Sequence, residues 1–330
     1  MTAKTHRQDF KAIAADYGQR YGILIALALV CVALSVASEF FLTQRNIINV
    51  LRQASINGIL AIGMTFVILT RGIDLSVGSV VALAGVVSAS FATTSATAGI
   101  AGAPYGFYIA LSIGILVGMA AGWVNGVLVA YFNVPAFVTT LGMLSAARGL
   151  TLLYTGGRPV PSLTPDYRYV GTGDVFGIPM PIILFAVVFI AAFLVLSSTR
   201  FGRHVYAAGG NPHAARVSGI NVKRVRMMVY VISGALAGLA GMILAARTGS
   251  ALPQAGIAYE LDAIAAVVIG GTSLSGGVGQ VTGTLIGALL ISVVNNGLDL
   301  MGVESYYQQV IKGMLIVAAV MLDQARHRHA

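Results

Sequence analysis

Charge is scarce in this chain. Asp, Glu, Lys and Arg together make up 9% of its 330 residues, against about 25% in soluble domains. So little charge cannot cover a globule of this length in water, and lipid is the fitting solvent. Cysteine is almost absent. Cys31 stands alone in an apolar run, so no internal disulfide can form and it reads as a small packing or lipid-facing residue. The five histidines (His6, His204, His213, His327 and His329) sit in the tails or in one basic loop and form no metal-ligand cluster. No G-x-x-x-x-G-K-[ST] loop occurs, which excludes ATP binding of that kind. No Ser-His-Asp spacing is interpretable. No series of carboxylates runs through the apolar segments, as a proton- or sodium-coupled carrier often uses. If the chain moves a solute uphill, the energy comes from a partner, and no cofactor is expected in this chain.

Hydrophobic residues, by contrast, make up 57% and glycine supplies 40 positions; mean hydropathy is +0.86. Ten apolar segments are candidate membrane spans: 21–38, 48–70, 73–94, 105–131, 135–153, 180–198, 227–246, 261–275, 278–298 and 307–323. The eighth is short and could be re-entrant. The fifth starts at Pro135 and holds Arg148, so it could be broken or buried. The first resembles a signal peptide in its Ser35-x-Ala37 pattern. Its long polar lead, with Asp9 and Asp16, and the further apolar runs favour a retained helix. The expectation is an all-α, polytopic membrane protein of about ten helices. It has a segment 1–20, a transmembrane body 21–323 and a tail 324–330.

Basic residues set the orientation. With the N-terminus inside, thirteen of the twenty Lys and Arg fall in 1–20, 71–72, 199–226 and 324–330. The opposite loops hold Arg45, Arg158, Arg168 and Arg247, mixed with acidic residues. Both termini are therefore expected in the cytoplasm. The net charge of +9 follows from this asymmetry. No separate basic domain exists to suggest nucleic acid.

Glycine recurs every fourth residue at Gly114, Gly118, Gly122 and Gly126, and again at Gly279, Gly283 and Gly287. This spacing predicts a helix face where another backbone can approach closely; it also suits a sliding interface. Residues 72–78, GIDLSVG, and 271–277, GTSLSGG, share G-x-x-L-S-x-G. The match is compatible with chance or with the duplicated halves common in transporters. Arg71 and Asp74 could pair as part of a gate; alternatively Asp74 or Ser76 caps a helix start. Asn57, Thr65, Asn125, Thr139, Thr140, Asn295 and Asn296 are uncharged polar residues within spans. Each could bond a neighbouring helix, or together they could line a path for a neutral polar solute.

Residues 209–226, GGNPHAARVSGINVKRVR, carry Arg216, Lys223, Arg224 and Arg226 with no carboxylate. This stretch, with GILAIGMTFVILTRGIDLSVGS at 58–79, YELDAIAAVVIGGTSLSGGVGQVTGTLIGALL at 259–290 and NNGLDLMGVESYYQQVIKG at 295–313, resembles the ribose-type permeases of bacterial ABC importers. The resemblance spans roughly residues 45–323. It implies a pair of permease subunits in the inner membrane. A cytoplasmic ATPase with two nucleotide-binding domains would hold the ATP and Mg, and a periplasmic or lipid-anchored binding protein would deliver a small sugar. It also implies that 199–226 enters a groove of the ATPase through Gly209, Gly210, Asn211, His213, Ala214, Ala215 and Gly219. Small residues there allow close approach, and Gly219 is expected to end a short helix. Such permeases commonly have an acidic residue before the Ala-Ala pair, where this chain has His213. Ribose or another pentose is the cargo the resemblance favours. A hexose, sugar alcohol, ribose-related signal or nucleoside would use the same machinery. A self-sufficient carrier or channel is the reading of another class, and would instead need coupling residues inside the spans.

Overall fold

Long runs of Leu, Ile, Val and Ala without interior proline favour helix. In the computed structural model, which describes residues 22–95 and 105–327, each of the ten apolar segments folds as one. They are α1 (Gly22–Ala37), α2 (Gln44–Leu69), α3 (Val77–Phe91), α4 (Phe107–Ala130) and α5 (Ala136–Thr155), then, past α6 (Pro165–Thr172), α7 (Met180–Ser198). Past α8 (Arg200–Gly210) and α9 (Pro212–Val217) come α10 (Val222–Thr248), α11 (Tyr259–Ile269), α12 (Val281–Leu300) and α13 (Ser305–His327). The strands among the described residues are β1 (Asp174–Val175) and β2 (Ile178–Pro179), paired antiparallel. Phe176 and Gly177 between them both have positive φ, as a tight hairpin requires.

Six helices, α2, α4, α5, α7, α10 and α12, are long and apolar enough to cross a membrane. The chain is thus a multi-pass helical protein. α3 has 15 residues and α11 has 11, so they rise roughly 22 and 16 Å, short of a ~30 Å hydrocarbon core. Of the two readings of the fifth segment, broken or buried, the break is absent. α5 runs unbroken because Pro135 is its N-cap and because Arg148 donates to the carbonyls of Pro253 (2.6 Å) and Ala255 (2.9 Å). α13 continues through 324–327, past the expected start of the tail. Residues 1–20 and His329 lie outside the described residues.

α10 is the central element. It packs on α4, α3, α2 and α6. α4 meets it antiparallel, almost without side chains between. A methyl at Gly118 would strike the Gly234 carbonyl, one at Gly122 the Tyr230 carbonyl, and one at Gly126 would lie 2.7 Å from the Met227 carbonyl. Gly114 faces Gly238 and, on α3, Ser88. On α12, Gly283 and Gly287 press against Gly270 and Ala266 at the end of α11. Gly279 does not belong to that stripe: it precedes α12, has φ +152°, and makes room for Thr272. The outward faces of α1, α4 and α7 are apolar, with Val36, Leu116, Trp123, Val187 and Ile190 exposed. Helices apolar on every side suit lipid.

Candidate coupling site

The basic stretch is a folded unit. α7 ends at Thr199, whose hydroxyl accepts from Gly202 N–H (3.1 Å) to start α8. α8 stops at Asn211, which leaves helical geometry at φ −143°. The Asn211 side chain then accepts from the N–H groups of His213 (3.1 Å) and Ala214 (3.0 Å), so one residue ends α8 and caps α9. Pro212 follows as the first helical residue, where a missing N–H costs nothing. Gly219, at φ +83°, closes α9: its N–H donates to the Arg216 carbonyl and the next N–H, Ile220, to Ala215. This is a paired C-terminal motif that favours glycine. Ala215 is buried, whereas His213, Ala214 and Arg216 are exposed and Val217 is 78% exposed. α9 therefore offers a small apolar and basic face outward.

α8 is locked to both G-x-x-L-S-x-G loops. Arg71, just past α2, donates Nε to the Gly209 carbonyl and Nη2 to the Gly210 carbonyl (2.7 Å). A cation on the last carbonyls of a helix also suits its dipole. Gly209 lies so close to the Leu69 carbonyl that no Cβ fits. That same carbonyl accepts from Gly277 N–H (2.9 Å). Gly210 has open space on its own Cβ side, but a Cβ on Gly277 would fall 2.6 Å from Gly210 Cα. Tyr206 donates its hydroxyl to the Gly279 carbonyl (2.9 Å), and burial pushes its phenol above the usual range. The two loops also share local geometry. The helices before them end alike, with Gly72 N–H on Val67 and Thr272 N–H on Val267. Asp74 then accepts from Ser76 N–H as Ser273 Oγ accepts from Ser275 N–H. The helix ends repeat at a spacing of 200 residues and the turns at 199, so the loops differ by one residue between end and turn.

Asp74 does not reach Arg71. It is 1% exposed and accepts from Ser76 N–H (3.1 Å), Ser76 Oγ (2.6 Å) and Ser233 Oγ on α10 (3.0 Å). Asn125 on α4 donates to Ser76 Oγ (2.9 Å). The carboxylate thus ties its own loop to α10 directly, and α4 joins the same cluster through Ser76. The other polar span residues sit elsewhere. Thr65 bonds Thr284 (2.8 Å). Asn295 donates to Asp262 Oδ2 (3.3 Å), which also pairs with Lys312 (3.0 Å). Asn296 and Asn46 exchange amide bonds of 2.8 and 2.9 Å. Asn57 and Thr139 are buried on α2 and α5, and Thr139 Oγ1 has no partner. Thr65, Asn295 and Asn296 thus each join α12 to a neighbouring helix.

Sequence reasoning did not pick out Ser233, Asn46, Thr284 or Tyr206. The signal was weak: each is a common residue in an ordinary run, and only its distant partner gives it meaning. Arg71 was visible as an isolated base at a span end, but its partner lies 138 residues on.

A multi-helix apolar body with a folded basic unit bonded to two of its loops fits a membrane transport component. The chain belongs to the family described as the branched-chain amino acid transport system / permease component, which matches residues 46–320. It is a transport component and not an enzyme. It is 47% identical to the ribose import permease protein RbsC of Escherichia coli (strain K12) over 307 residues, 92% of this chain and 93% of that one. It is 45% identical to RbsC of Bacillus subtilis (strain 168), covering 93% and 94% of the two chains. Identity to the D-allose transport system permease protein AlsC of Escherichia coli (strain K12) is 40%, covering 94% and 93%. No solved structure matches.

Proposed function

We propose that this chain is the membrane subunit of an ATP-driven ABC importer for a small neutral sugar, with ribose as first candidate. The observation that carries this is its likeness, along nearly its whole length, to permeases named for ribose import. Two copies form a homodimer in the bacterial inner membrane, each with about ten membrane helices, of which α3 and α11 are too short to cross on their own, and with both termini cytoplasmic. A cytoplasmic ATPase with two nucleotide-binding domains carries ATP and Mg, and a periplasmic or lipid-anchored protein delivers the sugar. The basic asymmetry between loops supports this orientation.

The α8–α9 unit suggests the mechanism. Its exposed face, Ala214, Arg216 and Val217, meets the ATPase. Its inner face is bonded to the end of α2 and to the loop before α12, so ATPase movement reaches both loops together. Asp74, Ser76 and Asn125 form the first buried polar layer above, where a gate responds. Thr65, Asn57, Thr139, Asn295 and Asn296 meet solute only in passing, and selectivity rests mainly with the delivery protein. The likeness to an allose permease favours a hexose as the second reading.

The test is uptake of labelled ribose by cells with and without the gene, with unlabelled sugars as competitors. Uptake lost on deletion, restored by the gene and competed best by ribose is expected. Unchanged uptake in a strain lacking other ribose systems rejects ribose. Gly219→Leu, forced to φ +83°, and Ala214→Glu, on the exposed face, should each abolish uptake while ATP hydrolysis continues. Normal uptake by both, at normal membrane levels, removes the coupling role.

A further inference from the structure

Beside the Arg71 clamp lies a cavity of about 220 Å³, lined by Thr70, Arg71, Asn133, Pro135, Arg226 and Tyr230. No carboxylate lines it. Arg226, in the second turn of α10, has Arg71, Arg216 and Tyr230 as its electrostatic neighbours, and its buried Nε has no hydrogen-bond partner. Asp74, beyond Tyr230, is already held by Ser76 and Ser233. Among the described residues the single ion pair is Lys312–Asp262, so among those residues these three guanidinium groups lie together without a paired carboxylate. Like charges gathered around a polar hollow, one with an idle donor, call for an anion. Guanidinium favours oxyanions that accept two parallel bonds.

The surroundings fix the depth. The α4–α5 turn that forms one wall exposes Tyr131 and Phe132, and the start of α5 exposes Phe137. Lys223 Nζ sits 5.9 Å from the Tyr131 ring centroid. Aromatic and basic residues in company mark the headgroup level of a bilayer. Basic pockets between membrane helices at that level take anionic lipid headgroups. We propose that this cavity binds the phosphate of an anionic phospholipid through Arg226 and Arg71. The proposal rests on the membrane permease reading but not on the sugar. A lipid there would tie α10 to the α8 clamp, so membrane composition would bear on coupling.

The full-length permease, reconstituted in vesicles of equal phosphatidylglycerol and phosphatidylcholine, would be extracted and its retained lipid measured by native mass spectrometry. Preferential retention of phosphatidylglycerol is expected. Arg226→Gln should lower that preference roughly fivefold, about what one basic residue near a membrane contributes. Arg226→Lys should keep most of it, and Arg158→Gln, far along the chain, all of it. Size-exclusion profiles guard against misfolded variants, and the lysine variant keeps the test alive if glutamine fails. Three outcomes overturn the proposal. One is an unchanged preference in Arg226→Gln. Another is inorganic phosphate binding with no lipid preference, which assigns the site to a free anion. The third is no retention, with Arg226 shielded from phenylglyoxal only when the ATPase is bound, which assigns it to a partner carboxylate. Sugar uptake is not read, so failure here leaves the transport assignment standing.

Discussion

Arg71 holds φ +65°, a conformation costing a side-chain-bearing residue about 1–2 kcal/mol. It is kept there by its two bonds to the end of α8. Arg71→Gly separates backbone strain from side-chain bonding, because glycine takes this φ freely and loses the clamp together with the guanidinium's place in the cavity. A charged hydrogen bond contributes roughly 1.5–3 kcal/mol when shielded, and this side chain is exposed, so about 1–3 kcal/mol in all is expected to go. Thermal unfolding in detergent measures it. The sharper readout is uptake, which should fall at least tenfold at unchanged membrane level if the clamp transmits movement. Lys312 gives a second residue test. Removing it as Lys312→Met leaves Asp262, 5% exposed, buried without its cation, at a cost of about 3 kcal/mol. The double variant Asp262→Asn with Lys312→Met should recover most of that loss. If the single and double variants melt together, the pair is not coupled.

Glycine separates the helices into two kinds. On α4, Gly118 and Gly122 face backbone of α10, whereas Gly142 and Gly149 on α5 have open space where a Cβ would stand. Gly118→Leu should therefore reduce the yield of monodisperse protein severely, and Gly149→Leu should not, as read by fluorescence-detected size exclusion. Equal behaviour would mean that the α4–α10 contact is looser than its geometry. The four-residue spacing made α4's stripe legible in the sequence. Its partners Gly234 and Gly238 lie on α10, where Gly241 follows three residues on and faces Gly85 of α3, so the strict repeat missed them. The ends of α9 were legible because Asn-Pro and Gly are local signals. α6 and α8 were not read as helices, since their residues are polar and their buried faces are defined by other elements: Tyr167 of α6 reaches Ser88 (3.1 Å), and Val205 of α8 is fully buried.

At the scale of the whole molecule, the β1–β2 hairpin and α9 mark opposite ends. α10 begins beside α9 and finishes against α6. In a Cys31→Ser background, a cysteine at Phe176, 100% exposed, should react with an impermeant maleimide on intact cells, and one at Ser218 only after lysis. The reverse pattern would invert the orientation drawn from basic residues. The positions of the apolar segments were legible throughout, because lipid demands continuous runs that sequence displays directly. How the segments pair was not, since the bonds that join them, such as Asn46 to Asn296 across 250 residues, have no local signature. One consequence follows from the backbone contact along α10. This helix has 27 residues and spans roughly 40 Å. It has no cushion of long side chains to yield between it and α4. It is a push-rod without a soft joint: a displacement applied at Val222 should arrive at Thr248 undiminished, carrying α4 with it.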